Sequence, residues 1–560
     1  MKARNYKWWI VITLGFFAFV LAIVGFNIMY SQAGVKRNVL DLAFQSIRLF
    51  GMKFPTGFQS PLPWQLEVAR WLAPGVVIYT AAKAILYFVQ REYKSFLLSY
   101  KKDHIIVTSL NDKSRFLIRD LLKNGEKVVV LAGIMDARKL DEVEKEGAVI
   151  VEGDITSKKF LDHIGAQKAK YFVFLEEDDE TNISNAIPVY NYLVEFAKDK
   201  KQTVFTHVAD DIKLSELMEL KFFEKYLEKN ETNNNCEIRV FSMNERTARV
   251  LFKAYSPDVF KMIQPDSRQV RVGVFGSGKL AQSMIIRLAR LGHYSNLKKI
   301  KITLFHEGDS MVKKLLQNFQ ELKDLIEFEN IESPLELFDI KKFNQLQHEH
   351  PFDMLYLLCE DDSLSSNILK KLIKNDSEDQ INVVLALMNP EGILSKWYNV
   401  EAIANIQVNK FNVIEESFTK RSIISEKMDQ LAKQVHAFYL PPVGERDPEK
   451  ASHKEWEYLG IDFKNQNREQ ADHIEVKLRA IGININTSNE IEFTADQVEL
   501  LSEMEHIRWC ANMILSGWTS GKKRDDKNKI HPDLIPYKEL PDQIKQYDRD
   551  AVLNIPKLLT

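Results

Sequence analysis

The chain has 560 residues, 45% of them apolar and 28% charged, a globular balance that excludes a disordered chain and leaves room for three or four domains. A formal net charge of −2 excludes bulk attraction to nucleic acid, so no nucleic-acid partner is expected. The three cysteines, Cys236, Cys359 and Cys510, are too far apart for a metal-ligand motif and fit a reducing, cytosolic setting for most of the chain.

Residues 8–30, WWIVITLGFFAFVLAIVGFNIMY, carry no charge and exceed the about 20 residues that span a bilayer. The run is too long for the core of a signal peptide, and no small-residue cleavage site follows it. A second apolar run covers 68–90, and Trp8, Trp9, Tyr30, Trp71 and Tyr87 lie near the ends of the two runs, where amphipathic aromatics anchor. Lys2, Arg4 and Lys7 precede the first run, and Arg91, Lys94, Lys101 and Lys102 follow the second. This predicts a hairpin in the cell (inner) membrane with residues 91–560 cytoplasmic. The connecting loop also holds Lys36, Arg37, Arg48 and Lys53, so the charge bias is imperfect.

Within that loop, residues 39–58 follow a helical period that breaks at Gly51, Pro55 and Gly57. Two readings stand: a re-entrant pore helix, with Phe50 and Gly51 at the pore, or an interfacial helix lying on the membrane surface. The layout is similar to that of two-span potassium channels. The segment LFGMKFPTG, however, stands where a TVGYG-type filter would. Lys83, inside the second run, either snorkels to the cytoplasmic interface or faces a pore and disfavours cations.

Two α/β halves follow. Residues 104–134 read strand, helix, strand, and strand-like AVIVEGDIT and YFVFLEEDDETNI come next. The order repeats from VRVGVFGSGKLAQS (270–283) onward. The best internal match aligns Glu177, Asp178 and Asp179 with Glu360, Asp361 and Asp362, each triplet followed by an asparagine, Asn182 and Asn367. These acids either line the crevice at the carboxyl ends of the strands or cap the helices that follow.

The loop at 273–279 looks like a P-loop, but Gly273 lies inside the strand and Leu280 stands where Ser or Thr would hold magnesium. A dinucleotide loop fits better. Gly276 permits the turn, Gly278 admits a phosphate to the backbone, and Ala281 allows close packing of helix on strand. The ribose acid would be Glu307 or Asp309, further from Gly276 than the usual ~20 residues, with Asp361 nearby. The expected cofactor is NAD(H) or another nucleotide in this half. The first half has Ser109, Asn111 and Ser114 where glycines would be needed and is expected to be structural.

The paired α/β halves behind two spans, with VEGDIT, EEDDETN and FSMNERTARVL, resemble the RCK regulators of potassium conductance and the Trk-type NAD-binding regulators. The resemblance implies homo-oligomers, tetramers above all or octamers, a cytoplasmic gating ring, and control by nucleotides or inorganic ions. The C-terminal stretch resembles the ryanodine-receptor repeat domain at Glu505, His506, Trp509, Gly517, Trp518, Gly521, His531, Pro532, Pro536, Tyr537, Leu540 and Lys545. In bacteria that family is linked to sensing nucleotide messengers in antiviral signalling.

From the residues themselves, Met504, Ile507, Met513 and Ile514 form a helix core face. Trp509, Trp518 and Tyr537 either sandwich a base or fill the core. Lys522, Lys523 and Arg524 either meet phosphate or form a solvated loop, and His506 and His531 supply polar contacts.

The expected fold class is α/β with membrane helices. A transmembrane hairpin occupies 1–100, two tandem Rossmann-like RCK domains occupy 101–265 and 266–440, and a small α-helical ryanodine-receptor repeat domain occupies 441–560. No GxSxG, HExxH or CxxC is present, and QHEH (347–350) reads as a surface loop, so neither an enzyme nor a metal site is expected.

Overall fold

The structure, a computed structural model, describes residues 2–55, 61–100, 102–131, 137–196, 201–209, 235–308, 310–374, 380–390, 392, 406–424, 427–448, 450–485 and 491–559. Asp309, Lys101 and the side chains of Lys2, Arg4, Lys7, Trp8, Tyr87, Arg91 and Lys94 lie outside the described residues. The chain divides into two compact units: residues 1–102 with 132–167, and residues 103–131 with 168–560.

In the first unit, helix Lys2–Gln32 packs against helix Trp64–Tyr100. Ala18 and Ala22 face Ala69 and Ala73 in one cluster, and a methyl group at Gly25 would stand 2.7 Å from the backbone nitrogen of Leu66. Small residues one turn apart let two helix backbones approach closely, as they do in bilayers. The outer faces carry Phe16, Phe17, Trp71 and Ile78, all exposed. Among the described residues one stretch, Trp9–Gln32, is long and apolar enough to cross a membrane. The second expected span falls in helix Trp64–Tyr100, whose side chains from 86 onward are not described, so two spans are not established.

A short helix, Val39–Phe50, packs against both long helices and buries Leu42, Ser46 and Leu49, while Val39, Leu40, Phe44 and Ile47 face outward. The Asn38 side chain caps its start by accepting from the Asp41 amide at 2.8 Å. Gly51 ends it, donating its amide to the Arg48 carbonyl at 3.1 Å.

The second unit holds two parallel sheets. Strands β1 (Ile105–Val107), β2 (Val128–Leu131), β4 (Tyr171–Phe174), β5 (Gln202–His207) and β6 (Cys236–Phe241) run in the order β2-β1-β4-β5-β6; β3 (Val149–Val151) belongs to the first unit. The second sheet comprises β7 (Arg271–Phe275), β8 (Lys301–His306), β9 (Glu327–Glu332), β10 (Met354–Leu357), β11 (Ile381–Leu387) and β12 (Ile406–Asn412), in the order β12-β11-β10-β7-β8-β9. That is the dinucleotide-fold order, with its switch point between β7 and β10. One face of this sheet packs Phe275, Phe305, Phe343 and Phe352; the other is covered by helix Lys279–Leu291.

The second core joins what the chain keeps apart. It unites Leu251 and Phe252 of helix Met243–Tyr255, Met284 and Leu288 of helix Lys279–Leu291, Val476 of helix Ile461–Ala480, and Leu501, Met504 and Ala511 of helix Ala495–Leu515. Burial of apolar surface on this scale makes the halves and the tail one folding unit. QHEH is not a surface loop: helix Ile340–Glu349 holds it as far as Glu349, and buried Gln347 accepts from the Phe352 amide at 2.9 Å.

Candidate functional site

At the switch point of the second sheet, Gly276 takes φ +132, and a methyl group there would meet the Leu358 carbonyl oxygen at 2.7 Å. Glycine is therefore required by the turn and by the approach of the β10 end. Gly278 is the N-cap of helix Lys279–Leu291 and offers no capping side chain, so the first turn of that helix opens toward the crevice. Ala281 is fully buried against the sheet, as close helix-strand packing requires. Glu307 is exposed just beyond β8. The preceding His306 is buried, its Nδ1 donating to the Gly308 carbonyl at 3.0 Å.

The acids behave as braces. Asp361 caps helix Asp362–Ile373 by accepting from the Ser363 amide at 2.8 Å, the capping alternative for this acid. The residue beside the loop is its neighbour Glu360, with Oε1 2.6 Å from where a Gly278 methyl would be. The repeat is nonetheless real. Asp178 accepts from the Thr181 amide as Asp361 does from Ser363, and Asp179 accepts from the Ala209 amide as Asp362 does from Met388 and Asn389. Asn182 is buried, donating to the carbonyls of Glu176 and His207, whereas Asn367 is exposed. The position equivalent to Asn182 is Ser365, also fully buried.

In the first half, the Ser109 hydroxyl and the Asn111 amide both donate to the Leu175 carbonyl, at 3.0 and 2.7 Å. Asn111 and Ser114 close a capping box on helix Asp112–Lys123. Side chains thus fill the switch point that glycines leave open in the second half.

In the tail, Met504 and Met513 are buried and Ile507 and Ile514 half-buried, as the helix core face requires. The aromatic groups form one file rather than an open slot. The His506 ring lies 5.8 Å from Tyr537 and 5.6 Å from Trp509, and His531 stands edge-on to Trp509 at 5.0 Å and to Trp518 at 6.0 Å. Both tryptophans are half-buried, with His531 between them. Arg524 lies over Trp518 at 5.9 Å and pairs with Asp526, while Lys522 and Lys523 are exposed on the same loop. Tyr537 is buried and donates to Glu499 at 3.2 Å.

His506 is buried between the Ile535 carbonyl, 2.8 Å from Nε2, and the Asp548 carboxylate, 3.3 Å from Nδ1. Burial lowers its basicity, but the hydrogen bond to Asp548 and the nearby Cys510 outweigh that and raise its pKa to about 10. Burial also pushes Asp548 up, against the pull of His506. For His531, burial lowers the pKa.

Sequence reasoning missed a chain of buried ion pairs centred on helix Ile461–Ala480. Arg249, from the first half, pairs with Asp472 at 2.6 Å and with Asp429 at 2.7 Å. Arg287, on the glycine-loop helix, pairs with Glu469 at 2.6 Å and reaches Asp472 at 3.5 Å. Lys477 pairs with Glu505 of the tail helix at 2.5 Å, and Arg508 closes on Glu505 at 2.7 Å. His473, also buried, donates to the His293 carbonyl at 2.9 Å, and burial holds both imidazoles low, His293 at about 4. Because Glu469, Lys477, Glu505 and Arg508 are all but inaccessible to water, removing one partner strands a charge. Apart from Glu505 with Arg508, three residues apart on one helix, no local pattern reveals such pairs, whose members are far apart in the chain; only the high charge of NREQADHIEVKLR hints at them.

Fold and site together define a tandem Rossmann-like assembly with a helical tail. Residues 105–211 match the TrkA-N domain, and residues 483–560 match the RyR domain; the chain carries both. Among solved structures, it is similar to the GsuK channel (TM-score 0.38, 13% identity, covering 80% of this chain and 88% of that one). It is similar as well to the GsuK channel bound to NAD (0.37, 12%, 80% and 88%) and to GsuK bound to ADP (0.37, 14%, 74% and 95%). At these scores the likeness is loose.

Proposed function

We propose that this protein is a membrane-embedded, ligand-gated ion channel or ion-transport protein, a homotetramer in the cell membrane, whose cytoplasmic halves and tail sense a nucleotide. The carrying observation is helix Ile461–Ala480, tied by buried charges to the first half through Asp472, to the glycine-loop helix through Glu469 and to the tail through Lys477. A ligand that favours one arrangement of the tail shifts the glycine-loop helix with it, provided its affinity differs between the two states. The TrkA-N and RyR matches support a regulator of ion transport. NAD(H) or another nucleotide at Gly276 and Gly278, and a phosphorylated messenger at Trp509, Trp518, Lys522, Lys523, Arg524 and His531, are the ligands in this reading. Potassium is the ion, and antiviral signalling the setting. No catalytic step is assigned. A second reading, a membrane-tethered nucleotide sensor without a pore, is favoured by LFGMKFPTG in place of a filter.

The test is calorimetric binding of NAD, ADP and ADP-ribose to the full chain, paired with potassium flux in liposomes. Binding with evoked flux is the expected result. Binding without flux supports the tethered sensor, and no binding overturns both.

A further inference from the structure

The second unit holds a cavity of about 450 Å3 that shares no residue with the glycine loop or with the aromatic file of the tail. It lies where the end of helix Met243–Tyr255 and the short helix Pro257–Phe260 meet the last turn of helix Ile461–Ala480. Pockets for small molecules run to about 300–1,000 Å3. Two cations and two carboxylates line this one. Arg479 donates from Nε to Asp258 at 2.7 Å and lies 3.5 Å from Glu475, and Lys253 reaches Glu475 at 3.0 Å. Neither sign is used up. Each terminal nitrogen of Arg479 makes one contact, to Glu475 or to the Ser256 hydroxyl, and keeps a hydrogen, and the exposed Lys253 ammonium keeps two. Each oxygen of Asp258 and Glu475 accepts one contact and has a lone pair left. Most of the remaining lining is apolar, and within it Val259 and Met262 stand exposed beside half-buried Ile483.

We infer that this cavity is a binding site for a free α-amino acid with an apolar side chain. The ligand's carboxylate takes the spare hydrogens of Arg479 and Lys253. Its ammonium donates to Asp258 and Glu475, and its side chain lies on Val259, Met262 and Ile483. The charge pattern selects this class. An organic anion of the same shape meets Asp258 and Glu475 with its own sign, and an organic cation meets Arg479 and Lys253 with its own. A zwitterion with an apolar body satisfies both pairs and the apolar lining at once, and the four side chains need only share their contacts with it.

The experiment is calorimetric titration of the full chain with L-leucine and L-phenylalanine, and with 4-methylpentanoate and 3-methylbutylamine, which keep the body of leucine and one charge each. Saturable binding of at least one amino acid is expected, with each single-charge analogue at least about tenfold weaker than leucine. Lys253→Gln, at an exposed helix position, is expected to weaken amino-acid binding by about tenfold while circular dichroism stays unchanged, and Lys253→Arg to keep most of it. Should Arg479→Gln unfold the unit, Lys253→Gln still decides. No saturable heat from either amino acid, an analogue that binds as tightly as leucine, or undiminished binding in folded Lys253→Gln overturns the inference.

Discussion

The two glycines of the loop differ in what stands against them. At Gly276 a methyl group meets backbone, the Leu358 carbonyl, and φ is +132. At Gly278 it meets the flexible side chain of Glu360. Gly276→Ala is therefore expected to cost about 1–3 kcal/mol in denaturant unfolding. Gly278→Ala should stay within about 0.5 kcal/mol of the native chain. Both should weaken nucleotide binding, the second by crowding the phosphate alone; equal destabilisation would contradict the geometry. This loop was legible because Gly-x-Gly-x-x-Ala carries its own mechanism. For Asp361 an acid at the end of a strand reads the same whether it caps or binds; the structure shows the cap and sets Glu360 beside Gly278. His506 gives a second test at this scale. Its folded value, about 10, lies above the ordinary 6.5, so its contribution is whole below about pH 6.5 and drains as pH rises through about 10. The melting temperature of the full chain should fall across that window, and Asp548→Asn should flatten the fall.

Among the elements, helix Ile461–Ala480 carries the most interpretive weight and was the least legible. Its charged stretch shows in the sequence, yet the partners Arg249, Arg287 and Glu505 come from three other helices. Sequence patterning exposes neighbours three or four residues apart, and these pairs are not neighbours. Glu469→Gln leaves the buried Arg287 without a charged partner on that residue and is expected to destabilise the unit by about 3 kcal/mol. The double variant Glu469→Leu with Arg287→Met should recover most of that stability, as apolar replacement of a buried pair often does. A double-mutant cycle with no coupling energy would show that the pair joins nothing. The two sheets, by contrast, were readable because apolar strands alternating with amphipathic helices admit few arrangements. The true partner of Asn182, Ser365, was hidden because a buried amide and a buried hydroxyl share no sequence signal.

For the whole molecule, the paired α/β halves and the helical tail were legible from strand repeats and tail motif. What joins the halves and the tail was not, because the shared core and ion pairs are long-range. The proposed function turns on one coupling: a nucleotide bound within the second unit is felt by the glycine-loop helix and the tail together through Glu469 and Lys477. The most direct measurement is potassium flux in liposomes carrying the full chain, with and without a nucleotide shown to bind, in the native chain and in Glu469→Gln. The account predicts that the nucleotide evokes flux in the native chain, and that Glu469→Gln still binds but loses most of the evoked flux. Flux that ignores every bound nucleotide, or that survives undiminished in Glu469→Gln, would contradict it.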